Sequence, residues 1–158
     1  FEKLCGYKFS ISCVEELVKK FPNQIVGVKD SSYNLYENLK IENFSVLPGS
    51  ELKLLKGLEL GCEGIITATC NVTASISRKV YDDFKNKKSQ TSNKLLCNIR
   101  SIFDQFNLIS GLHSFMSDED IIYKNLLPPL SLLNENDKKK LIEDLNKFNF
   151  SLESLKAA

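Results

Sequence analysis

The stretch QIVGVKDSS, residues 24–32, ends an apolar run on a charged lysine. Its apolar part, residues 25–28, has no polar side chain, which is typical of a strand in a parallel sheet covered on both faces. Lys29 follows at the end of this strand, with Asp30 and Ser31 directly after it. Because active sites of parallel α/β proteins form at the carboxyl ends of the strands, Lys29 is a candidate functional residue.

Helical and strand patterns alternate on both sides of this stretch. The predicted elements are, in order, a helix over SCVEELVKKF with Ser12 as its N-cap, the strand over residues 25–28, a short helix over SSYNLYENLKI, a strand over Phe44 to Leu47, a helix over SELKLLKGLELG with Ser50 as its N-cap, and a strand from Gly64 to about Thr69. Strands separated by helices predict βα units and a parallel sheet, so the predicted fold class is α/β.

The chain from about Ala74 onward is predicted to be helical throughout. Its last helix lies over ENDKKKLIEDLNKF, with Asn134 or Asn136 as the N-cap. Three parallel strands cannot close a barrel and would leave open sheet edges. The pattern therefore predicts either the C-terminal part of a larger α/β protein or a small open sheet with a helical tail.

The composition is that of a globular protein with balanced charge. Of 158 residues, 21 are basic and 20 are acidic, which indicates neither nucleic acid nor an anionic membrane as a partner. The five cysteines have no zinc-ligand spacing, and the only histidine, His113, is interpreted as a packed helix residue. No apolar run approaches the ~20 residues that span a bilayer. The sequence predicts a cytoplasmic protein with reduced thiols and no metal.

The position of Lys29 is compatible with two interpretations. Aliphatic neighbours would disfavour its charged form and lower its pKa, and a neutral amine attacks ketones to form an imine. Alternatively, Lys29 ends the strand in solvent or pairs with Asp30. Periodicity does not decide between these interpretations.

The end of the next strand allows a similar pair of interpretations. Gly49 is a turn glycine or a place where a substrate carboxylate approaches the backbone, and Ser50 is explained as a helix cap. Glu51 in a first helical turn is explained by the helix dipole alone.

Three motifs in this order, IVGVKDSS, VLPGSE and GCEGIITATCNVTA, resemble the dihydrodipicolinate synthase and N-acetylneuraminate lyase superfamily of pyruvate-dependent class I aldolases. YKNLLPPLSLL is similar to a further family segment near the C-terminus. The resemblance implies a (β/α)8 TIM barrel followed by a helical extension. Of that fold, residues 1–86 would be the C-terminal part of the barrel with strands six to eight, and residues 87–158 the extension.

The resemblance also implies roles for individual residues. Lys29 matches the lysine that forms the imine with pyruvate. The matching substrate-binding positions are Ser31, Gly49, Glu51 and Ile66. The implied partners are a 2-keto acid, pyruvate, and an aldehyde, with no cofactor besides the lysine imine, in a homotetramer or dimer.

Two elements of the family are not found in this sequence. The threonine pair that holds the pyruvate carboxylate belongs to an N-terminal strand, and FEKLCGYKF resembles the residues that follow the family's catalytic tyrosine. We therefore expect this chain alone to be inactive.

One departure from the family pattern bears on the substrate. Leu4 stands where true dihydrodipicolinate synthases have an arginine, which favours a lyase similar to sialate lyase or 2-keto-3-deoxygluconate aldolase. The alternatives are a 4-hydroxy-tetrahydrodipicolinate synthase of lysine biosynthesis and a non-catalytic small α/β binding domain.

Overall fold

The computed structural model describes residues 1–153, and in them two parallel strands are followed by a succession of helices. Strand β1 (Gly27–Asp30) pairs with β2 (Ser45–Pro48), with Gly27 beside Ser45 and Asp30 beside Pro48. The α-helices are α1 (Glu2–Cys5), α2 (Ile11–Lys20), α3 (Leu54–Glu59), α4 (Cys70–Lys85), α5 (Asn93–Phe103), α6 (Leu108–Met116) and α7 (Glu135–Asn146). Short 3-10 helices lie at Glu51–Lys53 and Ile121–Lys124. This order confirms the predicted α/β class with its helical C-terminal part.

The predicted third strand, from Gly64 to Thr69, is not formed as a strand. The Glu63 N–H donates to the Val46 carbonyl at 3.3 Å and the Ile66 N–H donates to the Pro48 carbonyl at 3.1 Å. A regular parallel ladder advances by two residues on both strands, but here three residues of this segment lie beside two residues of β2. Gly64 has a φ of 153°, which other residues rarely adopt. The extra residue interrupts the ladder, so the segment lies along β2 with isolated hydrogen bonds.

The predicted short helix over SSYNLYENLKI is also wrong. The chain after β1 runs through bends and turns to residue 38, and Tyr33 has a positive φ of 57°. The side chain of Asp30 accepts hydrogen bonds from the backbone of this segment. These bonds compete with the helical hydrogen bonds that apolar periodicity alone predicted.

The first strand lies two residues later in the chain than predicted, and it is less covered than its apolar sequence suggested. It begins at Gly27, and Val26 is 61% exposed. Within the described residues the sheet has two strands, so one backbone edge of β1 has no neighbouring strand. No helix of this part of the chain is long and apolar enough to span a bilayer.

The described residues divide into two compact units, each with its own apolar core. One unit comprises Phe1–Thr67 with Val80–Gln90, and the other comprises Ala68–Lys79 with the residues from Thr91 onward. The first core contains Val14, Leu35, Tyr36, Leu39, Val46 and Cys62. The second core contains Val72, Ile99, Ile102, Phe103, Leu112, Phe115, Leu141, Leu145 and Phe150.

Two of the predicted helix N-caps are confirmed, and a third cap is at a different residue than predicted. Ser50 caps the 3-10 helix through the Leu52 N–H, and Asn134 caps α7 through the Asp137 N–H, as predicted. Helix α2 starts earlier than predicted, because Ser10 and not Ser12 accepts from the Cys13 N–H, at 3.1 Å.

The cap of α2 gives a matched pair of substitutions. We expect Ser10→Ala to lower the free energy of unfolding by about 1 kcal/mol, because it leaves a helix N–H without its acceptor. Ser12→Ala, which removes a hydroxyl that caps no backbone N–H, should change it by less than about 0.5 kcal/mol. Urea unfolding of the full-length protein containing this sequence measures both values. Equal losses, or the larger loss at Ser12, would contradict the assignment of Ser10 as the cap.

Candidate active site

The carboxyl ends of β1 and β2 bring three of the candidate residues together. Lys29 lies beside Leu47 in the sheet. The Asp30 carbonyl accepts a hydrogen bond from the Gly49 N–H at 2.9 Å, which continues the ladder past the end of β2. Lys29, Ser31 and Gly49 therefore share one edge of the sheet, where parallel α/β proteins place their sites.

Gly49 is in direct contact with Ser31. A Cβ atom built on Gly49 would overlap the Ser31 hydroxyl and would come within 3.2 Å of the Ser31 Cα. Two backbones approach so closely here that only a residue without a side chain fits. Because the Gly49 N–H is already bonded to Asp30, what Gly49 contributes to this edge is space for Ser31 and not a free backbone donor.

The Lys29 side chain is exposed in the described residues. The aliphatic enclosure that the sequence suggested is therefore not formed by this part of the chain. Phe1, Tyr7 and Phe9 line a shallow depression together with Lys29 and Ser31. The Tyr7 and Phe9 rings pack edge to face with centroids 5.2 Å apart, so part of the lining of this depression is aromatic.

Asp30 follows Lys29 at the strand end, as the sequence indicated, but it does not pair with Lys29, and its bonds to the backbone were not predicted. It is 2% exposed, and its carboxylate accepts from the backbone N–H groups of Ser32, Leu35 and Tyr36 at 3.2, 2.9 and 3.0 Å. The signal was an aspartate followed by two serines, because aspartate readily bonds to the backbone two residues further on.

Tyr36 ends the segment that Asp30 holds. Its hydroxyl donates to Glu37 Oε1 at 2.6 Å, and this hydrogen bond, together with burial, raises the pKa of Tyr36 to about 12. The phenol therefore stays protonated through the physiological range and keeps its bond to Glu37. Burial also raises the pKa of the nearby Cys62 thiol, which favours the neutral, unreactive form.

Glu51 is fully buried, at 0% exposure. Its Oε2 accepts a hydrogen bond from the Thr67 hydroxyl at 2.9 Å. Thr67 follows Ile66, whose N–H is bonded to the Pro48 carbonyl and whose side chain is 50% exposed. The Glu51 carboxylate thus lies inside the protein and joins the end of β2 to the segment that contains Ile66. Thr67 was missed, although it belongs to the quoted motif.

His113 lies in α6 and is half-buried. Its Nδ1 is 2.8 Å from the Tyr123 carbonyl oxygen, and the two rings meet edge to face. These contacts match the predicted role as a packed helix residue.

The sequence profile of the Dihydrodipicolinate synthetase family matches residues 1–148. A 4-hydroxy-tetrahydrodipicolinate synthase of Chlorobium phaeobacteroides is 24% identical over 142 residues, which cover 87% of this chain and 45% of that protein. A protein of the same name from Buchnera aphidicola subsp. Cinara cedri is 30% identical over 150 residues, which cover 83% of this chain and 48% of that protein. The chain therefore spans about half the length of the curated relatives it matches.

Solved structures give the same result for the fold. The 4-hydroxy-tetrahydrodipicolinate synthase of Methylacidiphilum fumariolicum SolV matches with a TM-score of 0.82 at 19% identity, over 99% of this chain and 55% of that chain. The dihydrodipicolinate synthase of Agrobacterium tumefaciens str. C58 matches with a TM-score of 0.79 at 20% identity, over 94% and 52%. This likeness confirms the predicted fold, which is part of a (β/α)8 barrel with helices following it. On the family match over residues 1–148, the chain belongs to the dihydrodipicolinate synthetase family.

Proposed function

We propose that the protein containing this chain is a lyase of the pyruvate-dependent class I aldolase type, with Lys29 as the imine-forming residue. The observation that supports this most is the position of Lys29. It lies at the carboxyl end of β1, beside β2 and next to the contact between Ser31 and Gly49, in a chain of this family. No cofactor is needed, because the iminium itself withdraws electrons from the substrate.

The proposed chemistry uses the neutral form of the lysine. The Lys29 amine adds to the ketone carbon of the 2-keto acid, water leaves, and a protonated imine forms. The electron pair left by the carbon–carbon bond that breaks, or by the carbon–hydrogen bond that loses its proton, then moves toward the iminium nitrogen and gives an enamine. The enclosure that disfavours the ammonium form would come from residues outside the described part, because Lys29 is exposed within it.

The other candidate residues fall into two groups in this proposal. Ser31 offers its hydroxyl to the substrate, and Gly49 leaves the room that Ser31 needs. Ile66 offers its backbone carbonyl beside the bound 2-keto acid. Glu51 is too deeply buried to contact substrate in the described geometry, so we assign it to holding Thr67 and the Ile66 segment in place.

Two substrate classes have separate support. Leu4, which is 82% exposed, stands where an arginine would bind the second substrate's carboxylate, and this favours cleavage or formation of a sugar-derived 2-keto acid. The name 4-hydroxy-tetrahydrodipicolinate synthase of several relatives favours condensation of pyruvate with an aldehyde on the route to lysine. We favour the sugar-derived 2-keto acids because their support comes from a residue of this chain.

A panel of turnover assays separates the two classes. With the full-length protein, we expect release of pyruvate from N-acetylneuraminate or 2-keto-3-deoxygluconate. Formation of 4-hydroxy-tetrahydrodipicolinate from pyruvate and its aldehyde partner, without release from the sugar acids, would instead select the synthase. Activity in neither assay, from a folded protein, would count against both and favour a non-catalytic binding protein.

We place the protein in the cytoplasm as a homotetramer or dimer, with residues 1–86 contributing to the barrel and residues 87–158 assigned to the helical extension, of which the last five lie outside the described residues. The proposed partners are small molecules, a 2-keto acid and an aldehyde, and include neither nucleic acid nor membrane.

A further inference from the structure

Asp30 is a buried carboxylate whose hydrogen-bond donors in the described residues are all backbone N–H groups. Its Oδ2 accepts from Leu35 and Tyr36, and its Oδ1 accepts from Ser32. Burying a carboxylate is costly unless such bonds replace its hydration, so this arrangement fixes the turn that leaves β1.

The same residue also holds the backbone of the two strand ends together. Asp30 lies beside Pro48 in the sheet, and its carbonyl accepts from the Gly49 N–H at 2.9 Å. Successive side chains of a strand lie on opposite faces, so the Asp30 carboxylate is on the face away from Lys29. Asp30 thus constrains the turn that follows Ser31 and the neighbouring strand end at Gly49, without contacting the amine.

We propose that Asp30 is a positioning residue for Lys29, and this proposal rests on the imine chemistry proposed above. An amine must approach the ketone carbon along a narrow range of directions, and errors of about 1 Å can cost 10²-fold in rate. Lys29 is an exposed side chain on a short strand, so its direction depends on the strand backbone. The three bonds from Asp30 fix that backbone immediately after Lys29.

Two substitutions at Asp30 should give graded effects. Asp30→Asn keeps one carbonyl oxygen, which can still accept from Leu35 and Tyr36, but its NH2 group faces the Ser32 N–H, where two donors oppose each other. Asp30→Ala removes all three acceptors. The turn after Lys29 should therefore lose one of its three hydrogen bonds to residue 30 in Asp30→Asn and all three in Asp30→Ala.

The test is the rate at which borohydride traps pyruvate on Lys29 in the full-length protein. At saturating pyruvate we expect the rate constant of imine formation to fall roughly 5-fold in Asp30→Asn and 10- to 100-fold in Asp30→Ala. The pyruvate concentration for half-maximal rate should change less than about threefold, since Asp30 does not contact substrate. Peptide mass spectrometry locates the label.

Ser114→Ala is the matched control. Ser114 is fully buried in the second unit, and its hydroxyl accepts from the Leu133 N–H at 2.9 Å. Losing a buried acceptor there lowers the folded fraction, and hence the amount trapped, but should leave the rate constant of the folded protein unchanged.

The outcomes separate this proposal from the proposed function. If the unsubstituted protein traps no pyruvate on Lys29, the imine chemistry fails. If it traps pyruvate and both Asp30 variants do so at its rate constant, with only a smaller amount trapped, the positioning role fails and the imine chemistry stands.

Discussion

Replacing Lys29 with arginine is expected to lower turnover of 2-keto acids by a factor on the order of 10³ or more, because loss of a covalent nucleophile has effects of this size. Arginine keeps the positive charge, but its guanidinium stays protonated and forms no imine. Lys29→Met should give the same loss without the charge. Because the Lys29 side chain is exposed, the free energy of unfolding should change by less than about 0.5 kcal/mol in either variant, as thermal unfolding can measure.

The comparison of the two variants identifies what the lysine does. Lys19→Met, which removes an exposed lysine of α2, controls for the loss of one surface charge and should retain full activity. If Lys29→Arg kept most of its turnover while Lys29→Met lost it, the residue would act as a fixed charge and not as the nucleophile.

Gly49→Ala is expected to lower the free energy of unfolding by about 1–3 kcal/mol, as overpacking of a close contact does. The added methyl would overlap the Ser31 hydroxyl, and the Ser31 backbone leaves it little room. Because Ser31 follows Lys29 by two residues, turnover should fall further than the folded fraction does, by about 10-fold or more. Urea unfolding and steady-state kinetics of the full-length protein measure the two effects.

A second substitution tests the cause of this loss. Ser31→Ala in the Gly49→Ala background removes the overlapping hydroxyl, so the double variant should recover part of the lost stability. Gly111→Ala in α6 is the control, because the added Cβ would meet the Phe103 side chain at 3.5 Å, an ordinary van der Waals distance. It should be neutral or stabilising by about 0.5–1 kcal/mol. Additive losses from Gly49 and Ser31 would contradict the steric explanation.

The alternation of apolar runs and helical faces was sufficient to predict the parallel pair and most helices. Hydrophobic periodicity reports which residues face a core, and it is preserved over whole elements such as α5 and α7. It does not report which polar side chain bonds to which backbone group. The turn after β1 was therefore predicted as a helix, since nothing in the periodicity shows that Asp30 captures three N–H groups.

The register of the third predicted strand against β2 could not be predicted from the sequence either. The segment from Gly64 onward has the composition of a strand, but its place beside β2 depends on one extra residue and on the positive φ of Gly64. A glycine in an apolar run suggests such an interruption without fixing it.

Some residues of the candidate site could be predicted from the sequence, and others could not. Lys29, Ser31 and Gly49 could be proposed from their order along the chain, because strand ends in a parallel sheet share one edge. The depth of Glu51 and its bond to Thr67 could not, since burial of a charged residue depends on contacts between distant segments. Its shift from substrate contact to support of the Ile66 segment required the three-dimensional arrangement.

Borohydride reduction in the presence of pyruvate tests directly whether Lys29 forms an imine with a 2-keto acid. Peptide mapping of the full-length protein should show the mass of reduced pyruvate on the peptide that contains Lys29, dependent on both pyruvate and borohydride. A folded protein whose Lys29 stays unmodified under these conditions would contradict the account.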